Sequence, residues 1–170
     1  MCDRLVRSTR VETLYTDVLQ FLYHLALAVI VGGGMVLGSV VAPALFRTAP
    51  RSDAGTLFGA ALARWDGLAI FSVIVVVIAS VLKAGAFEVA EAPELRLILR
   101  WVALAVMSGA VIYSSGWASP VARSIRAQTR DFDDLPQNAP ARNEFAKLHR
   151  SSSGAMRIAV VAGLIALFLS

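Results

Sequence analysis

The residues of this chain that could do chemistry are few, and the two histidines come first. His24 lies in the first third of a long apolar stretch, and His149 precedes the last such stretch. Neutral imidazole is a common ligand of haem iron and of copper, so His24 is the candidate cofactor-binding residue. The alternative for His24 is a hydrogen bond to a neighbouring helix. We expect the two histidines to lie too far apart to share one metal ion.

Other patterns that indicate catalysis or metal binding are missing from the sequence. It contains no Walker loop, no nucleophile elbow and no H-E-x-x-H pattern. Cys2 is the single cysteine, which excludes a disulfide framework and a zinc site built from cysteines. No charged pair lies near the centre of an apolar stretch, so a proton relay has no evident residues. The sequence therefore names no catalytic residue and no metal site, and it favours a non-enzymatic protein.

The composition places these residues in a membrane. Of the 170 residues, 57% are AVILMFWYC and 16% are charged, whereas soluble domains average about 45–50% and about 25%. A disordered chain is excluded as well, because disorder requires low hydrophobicity and high net charge. The isoelectric point is 9.8, but the basic residues flank the apolar stretches. The expected partner is therefore the lipid bilayer with its anionic headgroups, and not nucleic acid.

The spacing of charged residues divides the chain into four apolar stretches. A bilayer core about 30 Å thick requires about 20 apolar residues in a helix. We predict one transmembrane domain over 1–170, with spans at 18–46, 67–87, 98–122 and 151–170. The last span requires Arg157 to extend its charged group toward the headgroups. Strands are excluded because the apolar runs do not alternate, as barrel strands would.

The connections between the spans predict two further helical pieces. Residues 52–62 are apolar for a loop and have helical periodicity, which predicts a short helix lying at the membrane interface. Pro140 suits the first turn of a helix, and the pattern after it predicts a helical extension over 141–150. The predicted fold is thus an all-α integral membrane four-helix bundle, with a short interfacial helix and an extended last helix.

Small and aromatic residues indicate how these helices pack and where they meet water. Gly34 and Gly38 form a G-x-x-x-G pattern, which lets two helices approach closely. The partner helix could belong to this chain or to a second subunit. Trp65 and Trp101, each beside an arginine, are predicted to anchor the spans at the interface, as is Arg157.

The distribution of lysine and arginine predicts the orientation. The connections at 47–66 and 123–157 together carry ten of the 16 basic residues. By the positive-inside rule both connections are cytoplasmic and both termini lie outside, in a bacterial inner membrane. The first apolar stretch could instead be a signal peptide cleaved after 42–44. It is longer than the usual apolar region of about 7–15 residues, so we expect it to be retained.

Two segments carry a family resemblance. Residues 22–46, with His24, three glycines at 32–34 and the Ala-Pro-Ala-Leu-Phe run, resemble the first helix of the transmembrane-protein-205-like family. Residues 145–152, with a Leu-His pair, are similar to the segment before that family's last helix. The resemblance implies a four-helix bundle and supplies no established reaction.

A weaker likeness extends to the copper-resistance D family and to the J-type protoporphyrinogen oxidase family. In both, as here, an early histidine precedes a glycine in the first helix. This likeness implies that haem or copper could be bound at His24. The oxidase family's Arg and Asn-Glu motif is not matched, since this chain has a Leu-His-Arg sequence at 148–150.

The sequence leaves two principal functions open. We expect an accessory or interaction subunit of a larger membrane assembly, bound to other membrane subunits or to a second copy of itself. The alternative is a haem- or copper-handling membrane protein with His24 as ligand. A small-solute transporter is a third option, for which four helices would have to dimerise to form a pathway.

Overall fold

A computed structural model describes residues 2–85 and 94–170 of the chain, with side chains from residue 13 onward. These described residues are mostly helical and contain no β-strand. The α-helices are α1 (Cys2–Val36), α2 (Ala42–Thr48), α3 (Arg51–Lys83), α4 (Leu95–Val111), α5 (Ser119–Gln128) and α6 (Pro140–Phe168). The predicted end of the second span, residue 87, lies outside the described residues.

Within the described residues, four helical stretches are long and apolar enough to cross a membrane. They are Thr13–Thr48, Arg51–Lys83, Leu95–Gln128 and Pro140–Phe168, and we call them the first to fourth spans. The second span has 33 residues, which corresponds to a length of about 50 Å against a hydrocarbon core of about 30 Å. The chain is therefore an all-α, multi-pass membrane bundle whose helices extend beyond the hydrocarbon core.

The structure contradicts the prediction of a separate interfacial helix. Residues 52–62 are helical, but they form the first part of α3, which runs unbroken from Arg51 to Lys83. Asp66, whose charge suggested a boundary, is buried and paired with Arg123. Because that pair neutralises the carboxylate and no proline interrupts the segment, the helix continues through it.

The first and third spans each contain a π-helical turn, at Leu37–Val41 and Ile112–Ala118. In each turn, the N–H of the next residue donates to a carbonyl five residues earlier. A proline follows both turns, Pro43 in the first span and Pro120 in the third. A proline lacks an N–H and crowds the carbonyl four residues earlier, so a wider turn lets the helix continue past it.

The four spans share one apolar core. Helix α1 packs against α3 and α6, and α4 and α5 pack against α6. The largest apolar side chains that are fully buried are Tyr23, Leu27, Ile30, Met107, Val76 and Val111. Alanines from all four spans fill the space between them, and this keeps the helices close together.

The connection between α5 and α6 folds against the ends of these helices. Asp131 takes a left-handed conformation with φ of 51° and is followed by a 3-10 turn. The Phe132 ring is 8% exposed and lies 5.2 Å from the Phe145 ring, centroid to centroid. The guanidinium carbons of Arg126 and Arg142 lie 5.7 and 5.9 Å from the Phe132 ring centroid. Two arginines thus hold this aromatic side chain in place.

Candidate functional site

Among the polar side chains inside the bundle, two clusters link separate helices, one near an end of the bundle and one at the middle of α3. The first surrounds His24 of α1 and includes residues of α3 and the end of the fourth span. The second joins α3 to α5 through Asp66 and Arg123. We call them the His24 cluster and the Asp66 cluster.

Both ring nitrogens of His24 have partners within the protein. Nδ1 lies 2.9 Å from the Gln20 carbonyl oxygen and therefore donates to it. In the neutral ring Nε2 then carries the lone pair, and it lies 3.0 Å from Ser170 Oγ and 3.4 Å from Gln20 Nε2. His24 is thus hydrogen-bonded across to the end of the fourth span. Haem iron or copper at Nε2 would have to displace the Ser170 hydroxyl.

Neighbouring side chains tie three spans together around His24. Lys83 Nζ donates to Gln20 Oε1 and lies 5.2 Å from the centroid of the Tyr23 ring. The Tyr23 and His24 rings meet edge to face at 5.4 Å, and the Tyr23 hydroxyl donates to the Ala166 carbonyl at 3.4 Å. The first, second and fourth spans are therefore linked at this end.

The second histidine lies elsewhere. His149 is in α6, where its ring stacks on that of Phe145 with the centroids 5.8 Å apart. It precedes Ser170, the partner of His24, by 21 residues, or about 30 Å of helix. The two histidines are therefore at different ends of the bundle. In the part of the chain that the structure describes, no three His, Cys, Asp or Glu side chains form a group that could hold a metal ion.

The Asp66 cluster contains a buried ion pair. Asp66 is 5% exposed, and its Oδ2 lies 2.5 Å from Arg123 Nη1. The same nitrogen donates to Ser119 Oγ, one turn earlier in α5, at 2.8 Å. Burying a carboxylate requires a close opposite charge, because desolvation disfavours the charged form. The pair thus fixes the beginning of α5 against the middle of α3.

A pair of serines links the third and fourth spans. Ser114 Oγ lies 2.8 Å from Ser152 Oγ and 3.1 Å from the Ser152 carbonyl oxygen. Because the carbonyl can only accept, Ser114 donates to it and the Ser152 hydroxyl donates to Ser114. The adjacent Ser115 is also buried, but its hydroxyl has no hydrogen-bond partner among the described residues.

We expect the serine pair to contribute measurably to stability. In a double-mutant cycle with Ser114→Ala and Ser152→Ala, the coupling free energy should be about 0.6 kcal/mol and not above about 1.7. The measurement is the free energy of unfolding in detergent micelles. Ser115→Ala is the matched control and should leave stability unchanged or raise it, because it removes a buried hydroxyl without a partner. Zero coupling between Ser114 and Ser152 would contradict this interpretation.

The predicted glycine pattern divides between two environments. A Cβ built on Gly34 would lie 3.0 Å from Val160 of α6, so Gly34 faces a helix of this chain. One built on Gly38 would have no described atom within 4 Å. Three other glycines allow closer approaches than Gly34. A Cβ would lie 2.1 Å from the Trp65 ring at Gly33, 2.3 Å from the Arg126 guanidinium at Gly55 and 2.6 Å from Val31 at Gly163.

The three predicted anchors also occupy different environments. Trp65 is 8% exposed and packs in the core, because its ring fills the space beside Gly33. Its ring therefore contacts the protein interior, and its position at the level of the membrane surface stays a prediction. Trp101 is half-buried and Arg157 is exposed on α6.

Sequence reasoning missed the Asp66–Arg123 pair, although one signal could have revealed it. Asp66 precedes the buried residues Ala69 and Val73 by three and seven positions. Residues at this spacing share one face of a helix, so a carboxylate at Asp66 lies on the core side and requires a cationic partner. The spacing of Asp66, Ala69 and Val73 does not show which basic residue supplies that charge, because this depends on how α5 packs.

Comparisons with known proteins agree with a membrane bundle and identify no reaction. No curated protein and no solved structure matches the chain. A family described as a domain of unknown function, DUF4149, matches residues 25–131. The matched segment covers most of the first three spans, includes Asp66 and Arg123, and exceeds half of the chain. The chain therefore belongs to the DUF4149 family.

Proposed function

We propose that this protein is a non-enzymatic accessory subunit of a larger membrane assembly, and that the outward face of α1 binds a transmembrane helix of its partner. The observation that carries the proposal is a row of small residues on that face. Ala28 and Gly32, one turn apart in α1, are exposed, as is Ser39 in the π-helical turn that follows, and a Cβ built on Gly32 has no described atom within 4 Å. Small residues let two helix backbones approach closely, which is how transmembrane helices gain packing energy in lipid.

The outward faces of α3 and α6 are different, whereas α4 also exposes two small residues, Ala105 and Gly109. On α3 the exposed side chains include Phe71, Ile74 and Ile78, and on α6 they include Ile158 and Val161. Large apolar side chains contact acyl chains well and gain little from a second helix, because lipid is as apolar as they are. The contrast favours α1 over α3 and α6 as the interaction surface.

The burial of the first span supports the same proposal. Within its most apolar 18-residue window, 22% of residues are buried, compared with 44% in the second span and 28% in each of the others. Yet α1 packs against two neighbouring helices, α3 and α6. A helix with two neighbours and so little burial has room for a further one.

Site-specific photocrosslinking in native membranes tests this. A benzophenone amino acid at Met35, beside the row of small residues, should form protein adducts several-fold more efficiently than the same probe at Ile74 of α3. The two positions are matched, since their side chains are 49% and 51% exposed. The mass of the adduct distinguishes a second copy of this chain from a different subunit.

A second variant shows whether close helix packing is responsible. Gly32→Leu should abolish the Met35 adduct without lowering the melting temperature, because the added side chain points into open space. Equal adduct yields at Met35 and Ile74, or an adduct that persists with Gly32→Leu, would contradict the proposal.

The family resemblance, the membrane orientation and the possible ligand at His24 also bear on this proposal. The resemblance to the transmembrane-protein-205-like family supports it in so far as that family implies a four-helix bundle without an established reaction. The basic residues favour a bacterial inner membrane with 47–66 and 123–157 in the cytoplasm. Haem or copper handling at His24 stays a prediction, and no observation favours it over a hydrogen-bonded histidine.

A further inference from the structure

We propose that Arg157 and the surface around it bind the phosphate of an anionic glycerophospholipid headgroup. Arg157 is exposed on α6, directly before the uncharged residues 158–168. Counted from residue 151, where the predicted span begins, it lies six residues, or about 9 Å, inside the hydrocarbon core. The structure thus leaves a permanent positive charge exposed at the edge of the last apolar stretch.

Arg157 has no counter-charge within the described chain. It forms neither an ion pair nor a hydrogen bond with another described side chain or carbonyl. A guanidinium group does not lose its proton in a protein, so it must find a partner outside the chain or extend toward water. The negative groups nearest to a lipid-facing arginine at this depth are the phosphates of the headgroup layer.

The helix surface beside Arg157 has room for such a group. Arg150 lies two turns earlier on the same face, and Ser153 and Gly154 lie between the two arginines. A Cβ built on Gly154 would have no described atom within 4 Å, so the surface is open there. Because helical side chains tilt toward the N-terminal end, Arg157 extends over Ser153 and Gly154. A phosphate there could accept two N–H bonds from Arg157 and one from the Ser153 hydroxyl.

The charge of this face favours an anionic lipid over a zwitterionic one. Lys147, Arg150 and Arg157 are all exposed. Arg150 uses its Nε to donate to the Ala146 carbonyl at 3.3 Å, which leaves its terminal nitrogens available. Glu144, the acidic residue of α6, lies six positions before Arg150 and thus about 120° around the helix from it. A headgroup with net negative charge gains from the excess of cations.

Native mass spectrometry of the full chain in detergent tests the proposal, with phosphatidylglycerol and phosphatidylcholine as probes. The wild-type protein should retain phosphatidylglycerol preferentially. Arg157→Gln should raise its apparent Kd about tenfold. Arg64→Gln removes an exposed arginine of α3 and should change that Kd by less than about twofold. The proposal would be overturned if both variants lost the same affinity for phosphatidylglycerol, or if Arg157→Gln lost none.

A second variant and a competition measurement complete the experiment. If Arg157→Gln does not fold, Arg157→Lys retains the charge but loses the planar two-pronged donor, and about threefold weaker binding is expected. Unchanged affinity in that variant would overturn the proposal as well. Inorganic phosphate should not displace the lipid, and displacement would assign the site to a free ion instead. Arg157 takes no part in the α1 surface, so the lipid site and the proposed partner helix can fail independently.

Discussion

Arg123→Ala is expected to lower the free energy of unfolding by about 3–5 kcal/mol, because it leaves the buried Asp66 carboxylate without its counter-charge. The Asp66 side chain is 7% exposed, so water replaces the lost partner only in part. Chemical denaturation in detergent micelles, followed by tryptophan fluorescence, measures the loss. Arg123→Lys should recover part of the stability because it restores a positive charge.

The control for this prediction is a second ion pair of the same chain. Arg130 Nε lies 3.6 Å from Asp131 Oδ2, with the two side chains 96% and 72% exposed. Arg130→Ala should therefore leave stability unchanged within the error of the measurement. Adding Asp66→Asn to Arg123→Ala should restore part of the loss, because it removes the unpaired charge. A loss below about 1 kcal/mol for Arg123→Ala would mean that the pair behaves like a surface salt bridge.

Gly33→Ala is expected to destabilise the protein by about 1–3 kcal/mol through overpacking. The added Cβ would lie 2.1 Å from the Trp65 ring, which is itself buried in the core and cannot move without disturbing its neighbours. This cost exceeds the gain of about 1 kcal/mol that alanine brings over glycine in a helix. Thermal unfolding in detergent measures the change.

Gly32 provides the matched control, since it is adjacent and has no described atom within 4 Å of a built Cβ. Gly32→Ala should be neutral or stabilising, because only the gain in helix propensity remains. Trp65→Leu should also rescue Gly33→Ala, with a favourable coupling of about 0.5–3 kcal/mol in a double-mutant cycle. Equal effects of the Gly32 and Gly33 substitutions would exclude the proposed contact with Trp65.

The fold could be predicted because in lipid the backbone must satisfy its own hydrogen bonds, which restricts it to few structures. Long stretches without charge must form helices in hydrocarbon, and the spacing from Asp17 to Arg47 is enough to place the first of them. The true start of α3 could not be found in this way. A charged residue marks a membrane boundary only when water solvates it. Asp66 is instead buried and forms an ion pair with Arg123.

The packing around the glycines was less predictable for a different reason. A helical wheel assumes a constant rotation per residue, which would place Gly34 and Gly38 on one face. Gly38 lies within the π-helical turn Leu37–Val41, where that assumption fails. The contact of Gly33 with Trp65 requires the relative position of two helices, which depends on all of their side chains together and not on either sequence pattern.

The unbroken course of α3 has a mechanical consequence. A helix of about 50 Å without a hinge behaves as a stiff rod, and one end of it stands clear of the hydrocarbon. Because the ion pair at Asp66 fastens α5 to this rod, we expect a change in the tilt of α3 to move the beginning of α5 with it. Binding of a partner to the protruding end would therefore reorient both helices together.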